Sequence, residues 1–307
     1  MFIRDTAYKT LRGVEAEIDA LAARSGAEIA LLGESTEGRP IRALCFGGGD
    51  YRKPELLYYA LEHSMEYIGA EAALDAARRL ADGECSEFLD KMNAWVLPVF
   101  NPDGYARVEK QLSSGLGLAF ARKNASGVDL NRNFPVAFYH FPGSVFAGSP
   151  LKFSPHYRGA EPCSEQETRV FRDFILGRNF KISLAFHCFG ASILYPYFYK
   201  KSKCGAHDTL AALAGKISFA QRSPYSVKPG HKLYLTNGSS ADWLYDEQGI
   251  LALVMEIGKL GVKADRPESW INPFFWFNPV DPREELDNIV PASLKLVEET
   301  ASRFCGD

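Results

Sequence analysis

At 307 residues, with 46% hydrophobic and 24% charged side chains, the chain has an ordinary globular make-up and apolar residues enough for a large core. A formal net charge of −3 argues against a nucleic-acid surface or a polybasic membrane anchor, and no apolar run reaches the ~18 residues of a membrane span. Six widely spread cysteines with no Cys-x-x-Cys pair, behind an N-terminus that lacks the basic-then-apolar layout of a secretion signal, lead to the expectation of reduced thiols in a cytoplasmic protein.

The first 30 residues read as an amphipathic helix, with Leu11, Val14, Ile18, Leu21 and Ala22 on one face. Buried-strand candidates follow at 41–47, 55–61, 94–100, 182–188 and 251–257. They alternate with helical stretches at 67–81, 164–177, 206–221 and 285–303. Continuous apolar strands separated by helices predict an α/β fold: a mixed, mostly parallel central sheet with helices on both faces, in one domain spanning 1–307. Stretches 104–160 and 223–242, rich in Gly, Pro, Ser and Asn, read as long loops that build an active face at the carboxyl ends of the strands.

Polar residues close three of these strands. His63 follows "ELLYYALE", with Glu66 three residues on, His187 follows "KISLAF", and Glu256 follows "LALVM". Taken alone, His63 and Glu66 are a strand-end polar residue and a glutamate favouring a helix dipole. With His187 and Glu256 they offer two imidazoles and two carboxylates, and two His with one Glu make the donor set of a catalytic zinc site with an open fourth position. The carboxylate that is not a ligand would be free for general acid–base work.

Seven ordered motifs then carry a resemblance. They are "LLGESTEGRPI" (31–41), "EHSMEYIG" (62–69), "FNPDGYARV" (100–108), "RKNASGVDLNRNFP" (122–135), "CSEQETRVFRDFI" (163–175), "FHCFGASILYPY" (186–197) and "LYLTNGSSADWLYDEQGILALVMEIG" (233–258). On these residues the chain resembles the zinc metallocarboxypeptidases, the carboxypeptidase A-like peptidases, from about residue 30 to 290. The resemblance implies a carboxypeptidase A-like α/β/α sandwich and one Zn2+ per chain held by His63, Glu66 and His187. His2Glu is the ligand set by which carboxypeptidase A itself is known.

The resemblance also implies the remaining roles. Asp129 would accept the outer ring N–H of His63. Glu256 would act as general base for the zinc-activated water and return its proton to the leaving amine. Arg122 would polarise the scissile carbonyl. Arg132, assisted by Asn131, would hold the terminal carboxylate, and Tyr234 would close over it. The partner implied is a peptide, or peptide-like molecule, with a free C-terminal carboxylate.

Four positions depart from the family pattern. Met65 replaces an arginine, Phe189 a tyrosine, Phe198 a glycine, and Ala241 stands where basic-specific members place an aspartate. Phe198 and Ala241 suggest a shallower or more apolar pocket for the terminal side chain. A long inhibitory pro-segment is also missing, which points toward narrow specificity such as that of bacterial relatives acting on murein tripeptide at a γ-D-glutamyl-diaminopimelate bond. Zinc N-acyl amino-acid deacylation is a further alternative. A catalytically dead binding module fits poorly with an intact ligand set and base. His140 and His156 read by default as surface loop histidines, with substrate contact as the alternative, and Cys188 reads as a buried thiol.

Overall fold

The computed structural model describes residue 3 and residues 6–114, 119, 121–262 and 267–306. In chain order the elements are α1 (Leu11–Ser25), β1 (Glu28–Glu34), β2 (Pro40–Phe46), β3 (Glu55–Ala60), α2 (Tyr67–Ala81), α3 (Ser86–Leu89), β4 (Asn93–Leu97) and α4 (Pro102–Ser113). A 3-10 turn at Leu130–Arg132 leads to α5 (Gln166–Leu176), β5 (Phe180–Cys188), β6 (Ser192–Tyr195), α6 (His207–Ala220), β7 (Ser226–Pro229), α7 (Ser240–Asp246) and β8 (Leu251–Ile257). The last helices are α8 (Glu268–Ile271), α9 (Phe274–Phe277), α10 (Arg283–Ser293) and α11 (Lys295–Phe304).

Eight strands form one sheet in the order β1-β2-β4-β3-β5-β8-β6-β7. The central four, β4-β3-β5-β8, are parallel, while β1, β2 and β6 join antiparallel. Side-chain alternation splits β3 between two cores: Leu56, Tyr58 and Ala60 pack with α1, α2, α6, α10 and α11, and Leu57 and Tyr59 pack with α5 and α7. Helices therefore cover both faces, as the apolar continuity of the strands predicts. Among the described residues no helix is long and apolar enough to cross a membrane, and all six cysteines are unpaired.

Several boundaries differ from the sequence expectation. The stretch read as a loop from residue 104 opens with α4, because Asn101 caps it by accepting the Gly104 N–H and Pro102 supplies the preset first-turn φ. The expected helix 285–303 is two helices, α10 carrying Pro291 and α11 starting after Leu294. Proline offers no N–H to the ladder, so the helix ends within a turn of it. Short β6 and β7 were too brief to show a strand period.

The motif residues between elements brace the active face. Asp103 accepts from Ser35 Oγ (2.7 Å), Glu37 N (2.8 Å) and Arg39 Nη1 (2.7 Å), tying the β1–β2 turn to α4. Asn124 donates to Glu165 and Glu167, and Asn133 donates to the Arg158 carbonyl and to Ser164 Oγ, so the segment 122–135 is anchored to the start of α5.

Helix α2 lies directly on β5. A Cβ built at Gly69 would sit 2.7 Å from the Phe186 carbonyl oxygen, so only glycine permits this approach. Gly69→Ala should therefore push α2 off β5 and lower stability by about 1–3 kcal/mol in denaturant unfolding. It should also weaken metal binding, because α2 and β5 deliver Glu66 and His187.

Candidate metal centre and active site

Strand β3 ends at Ala60, and Leu61 adopts a left-handed backbone with φ 64°. That turn carries the chain off the sheet edge into Glu62–Glu66. Asn101 Nδ2 holds it by donating to the Glu62 carbonyl (3.4 Å) and Ser64 Oγ (3.1 Å), while Ser64 Oγ donates to the Lys123 carbonyl (2.6 Å). Glu66 occupies the N-cap position of α2 but makes no side-chain cap bond, which leaves its carboxylate free for the imidazoles.

His63 Nδ1 lies 2.8 Å from Glu66 Oε1, His187 Nδ1 lies 2.9 Å from Glu66 Oε2, and the two Nδ1 atoms are 3.3 Å apart. All three residues are buried, and their ligand atoms fall within 4.8 Å of one another. Two imidazole nitrogens facing each other at 3.3 Å, with a carboxylate alongside, are an arrangement that a cation completes. A tetrahedral ion with ~2.0–2.1 Å metal–nitrogen bonds sets its ligand atoms ~3.3–3.4 Å apart. The donor set thus fits zinc.

Burial alone would raise the Glu66 pKa, but His63 and His187 hold it below the usual carboxylate range. Burial would lower the pKa of His187, yet Glu66 and Glu62 carry it well above the usual imidazole value.

Glu256 stands beside this group. In the parallel β5–β8 pairing His187 is its register partner, one strand spacing away. Burial pushes its carboxyl up to about 7; Glu66 adds to the rise, and His187, His63 and Arg122 pull against it. Such a value suits a proton-transfer group working near neutrality. Gly190 makes room here, since a Cβ on it would lie 3.0 Å from that of Glu256.

Asp129 stands at the outer edge of the His63 ring. Its Oδ1 faces His63 Nε2 at 3.4 Å, and neither atom has a closer partner. Its Oδ2 instead accepts from Arg122 Nε (2.7 Å) and meets His156 Nδ1 at 3.3 Å. Burial would raise the Asp129 pKa, but Arg122 and then Arg132 hold it well below the carboxylate range. Arg122 is therefore fixed through Nε, and its buried Nη2 has no partner.

Arg132 is 1% exposed, donates through Nε to the Phe146 carbonyl (2.9 Å) and through Nη1 to the Asn131 carbonyl (2.6 Å), and leaves Nη2 buried without a partner. Asn131 Oδ1 accepts the Ser240 N–H at 3.0 Å. Half-buried Tyr234 has its ring 5.9 Å from the Arg132 guanidinium carbon and 5.2 Å from Phe146. Ala241 and Phe198 are buried in the apolar core beneath α7, with Phe198 pressed against Gly230. Phe198 N–H donates to Asp242.

Sequence reasoning missed Glu62, Ser240, His156 and Phe146. Glu62 Oε2 accepts from His187 Nε2 at 2.8 Å and from Ser240 Oγ at 3.1 Å. The only hint in the sequence was an acid adjoining a candidate ligand at the end of an apolar strand. His156 and Phe146 lie in a stretch whose folded path no periodicity encodes.

A family model described as zinc carboxypeptidase matches residues 14–275. The chain belongs to the zinc carboxypeptidase family. It is 32% identical to carboxypeptidase A2 of Rattus norvegicus over 263 residues, covering 78% of this chain and 60% of that protein. The chain spans about 60% of the length of the curated relatives it matches first. Its fold is similar to carboxypeptidase A from Helicoverpa armigera, with a TM-score of 0.78, 25% identity and coverage of 96% of this chain and 74% of that one. It also shares the fold of murein-tripeptide amidase MpaA from Escherichia coli O157, with a TM-score of 0.54, 22% identity and coverage of 90% and 94%. The family is one of zinc enzymes, in accord with the donor set.

Zinc binding requires neutral imidazoles, so protons compete for the site. Because the His187 pKa is raised in the metal-free protein, zinc affinity should begin to fall above pH 6.5 and keep falling as the solution is made more acidic. Elemental analysis after equilibration across pH 8 to 5 checks this. Replacing His63, Glu66 or His187 by alanine should abolish stoichiometric zinc at every pH.

Proposed function

We propose that the protein is a zinc-dependent carboxypeptidase that hydrolyses the C-terminal amide bond of a peptide. The observation that carries this reading is Arg132: a fully buried guanidinium, braced at Nε and Nη1, whose Nη2 has no partner beside Asn131 and Tyr234. A buried unpaired donor on a cation is costly unless an anion completes it, and a terminal carboxylate supplies that anion with matching geometry. An enzyme that cuts within chains has no use for such a group.

Zinc held by His63, Glu66 and His187 would supply Lewis acidity, polarising the carbonyl and easing deprotonation of water. Arg132 and Asn131 fix the substrate's terminal carboxylate, and the Tyr234 ring excludes water above it. Arg122, held by Asp129, presents its unpartnered Nη2 to the developing oxyanion. Glu256 removes a proton from the attacking water and returns it to the leaving amine. Half-exposed Phe146, resting on Tyr234, gives the approach to Arg132 an apolar side. That favours an ordinary peptide tail over a small, highly charged tripeptide. The lack of an acidic side chain at Ala241 supports a preference for apolar over basic terminal residues.

The test is digestion of a peptide pool covering all C-terminal residues, mixed with L-Ala-γ-D-Glu-diaminopimelate and N-acyl amino acids and read by mass spectrometry. Single-residue losses from ordinary peptides are expected, and release of diaminopimelate alone would replace this reading with amidase activity. Glu256→Gln should keep its zinc and lose roughly 10²–10⁴-fold in turnover. Turnover should also fall on the acid side of neutrality, as Glu256, whose carboxyl sits at about 7 in the metal-free site, takes up a proton. A bound cation should shift that limb to lower pH. Arg132→Lys should raise KM far more for peptides than for their C-terminal amides.

A further inference from the structure

We infer that Glu62 is the principal outer partner of the metal centre, acting through His187 as a positioning residue. It rests on the zinc-centre reading above and adds a carboxylate that the sequence motifs did not mark. His187 turns Nδ1 toward His63 and Glu66, and its Nε2 donates to Glu62 Oε2 at 2.8 Å. Both side chains are buried, so this hydrogen bond fixes the ring's tautomer and its rotation without competition from water.

The carboxylate is itself fixed. Ser240 Oγ donates to Glu62 Oε2 at 3.1 Å, and the Tyr59 hydroxyl lies 2.9 Å from Ser240 Oγ. Ser240 has one hydroxyl proton and gives it to Glu62, so Tyr59 donates to Ser240. The relay Tyr59–Ser240–Glu62–His187 therefore runs from β3, through α7, to β5, entirely within the interior.

The second imidazole gives the contrast. Asp129 Oδ1 lies 3.4 Å from His63 Nε2, against 2.8 Å from Glu62 to His187, and its other oxygen accepts from Arg122 and meets His156. Its charge is already compensated by a guanidinium. Among the described residues, Glu62 has no ion-pair partner other than His187, and its buried Oε1 has no partner. A buried carboxylate with one oxygen unpaired is held at a cost unless positive charge sits nearby. A divalent cation on the far side of the His187 ring supplies that charge, and Glu62 in return makes the imidazole a stronger donor. Backbone geometry permits the double use of adjacent residues. The left-handed turn at Leu61 lets His63 face the centre while Glu62 reaches the outer edge of His187.

The test compares zinc affinity of the full chain, measured by competition with a chromophoric chelator, for wild type, Glu62→Gln and Asp129→Asn, with thermal unfolding of each metal-free form as a check on folding. Glu62→Gln keeps the shape and removes the charge. It should weaken zinc binding roughly 10–100-fold, more than Asp129→Asn does, and should shift the imidazole nitrogen resonances of His187. If Glu62→Gln does not fold, Ser240→Ala should give a smaller loss in the same direction. A wild-type chain that takes up zinc beside a Glu62→Gln protein of equal affinity overturns this inference alone, as does Ser240→Ala without effect. A wild-type chain that binds no zinc overturns the centre, and this inference with it.

Discussion

Bringing two imidazoles and a carboxylate within hydrogen-bonding distance of one another is the constraint on which the rest of the structure depends. Such a group resists assembly: the donors repel or compete for protons, and each must leave water. The turn from Leu61 to Glu66 meets the demand by placing two of the three within four residues, and β5 brings the third alongside. A buried leucine in a left-handed conformation is itself costly, by about 1–3 kcal/mol, and persists because Asn101 and Ser64 hold the residues after it.

Charge compensation radiates outward from that turn. Glu66 faces both imidazoles, Asp129 faces Arg122 and His156, and Glu62 closes the other side of His187. Glu256 and the two arginines keep capacity to spare. Its carboxyl is near neutrality through burial, and Arg122 and Arg132 each keep one nitrogen without a partner. On the proposed reading, Glu256 would meet a water, and the two free arginine N–H groups would donate to a carbonyl oxygen and a terminal carboxylate. The same loops that compensate the centre therefore also define what it can bind.

Much of this was legible in the chain. The expected helix at 67–81 and the strand at 251–257 match α2 and β8 to the residue, because long apolar periodicity is decided locally. Short elements were not legible: β6 and β7 are four residues each and owe their strand form to pairing with β8 and with each other. The capping chemistry of Asn101 and Pro102 was visible and went unread, since the Asn-Pro-Asp-Gly run also suits a turn. Asn101, Asp103, Asn124 and Asn133 belong to the family motifs but serve as braces, which no spacing reveals.

By itself the sequence determined the layered α/β plan, the positions of its main strands along the chain and the identities of His63, Glu66, His187 and Glu256. Apolar continuity along the strands and polar residues at their carboxyl ends are properties of neighbours in the chain. The tertiary structure alone decided which carboxylate serves which imidazole. Glu62 and Ser240 are 178 residues apart, beyond any local pattern, and Asp129 is shared among Arg122, His156 and His63. Those choices follow from burial and from competition among charges for the same few donors, and both exist only once the chain has folded.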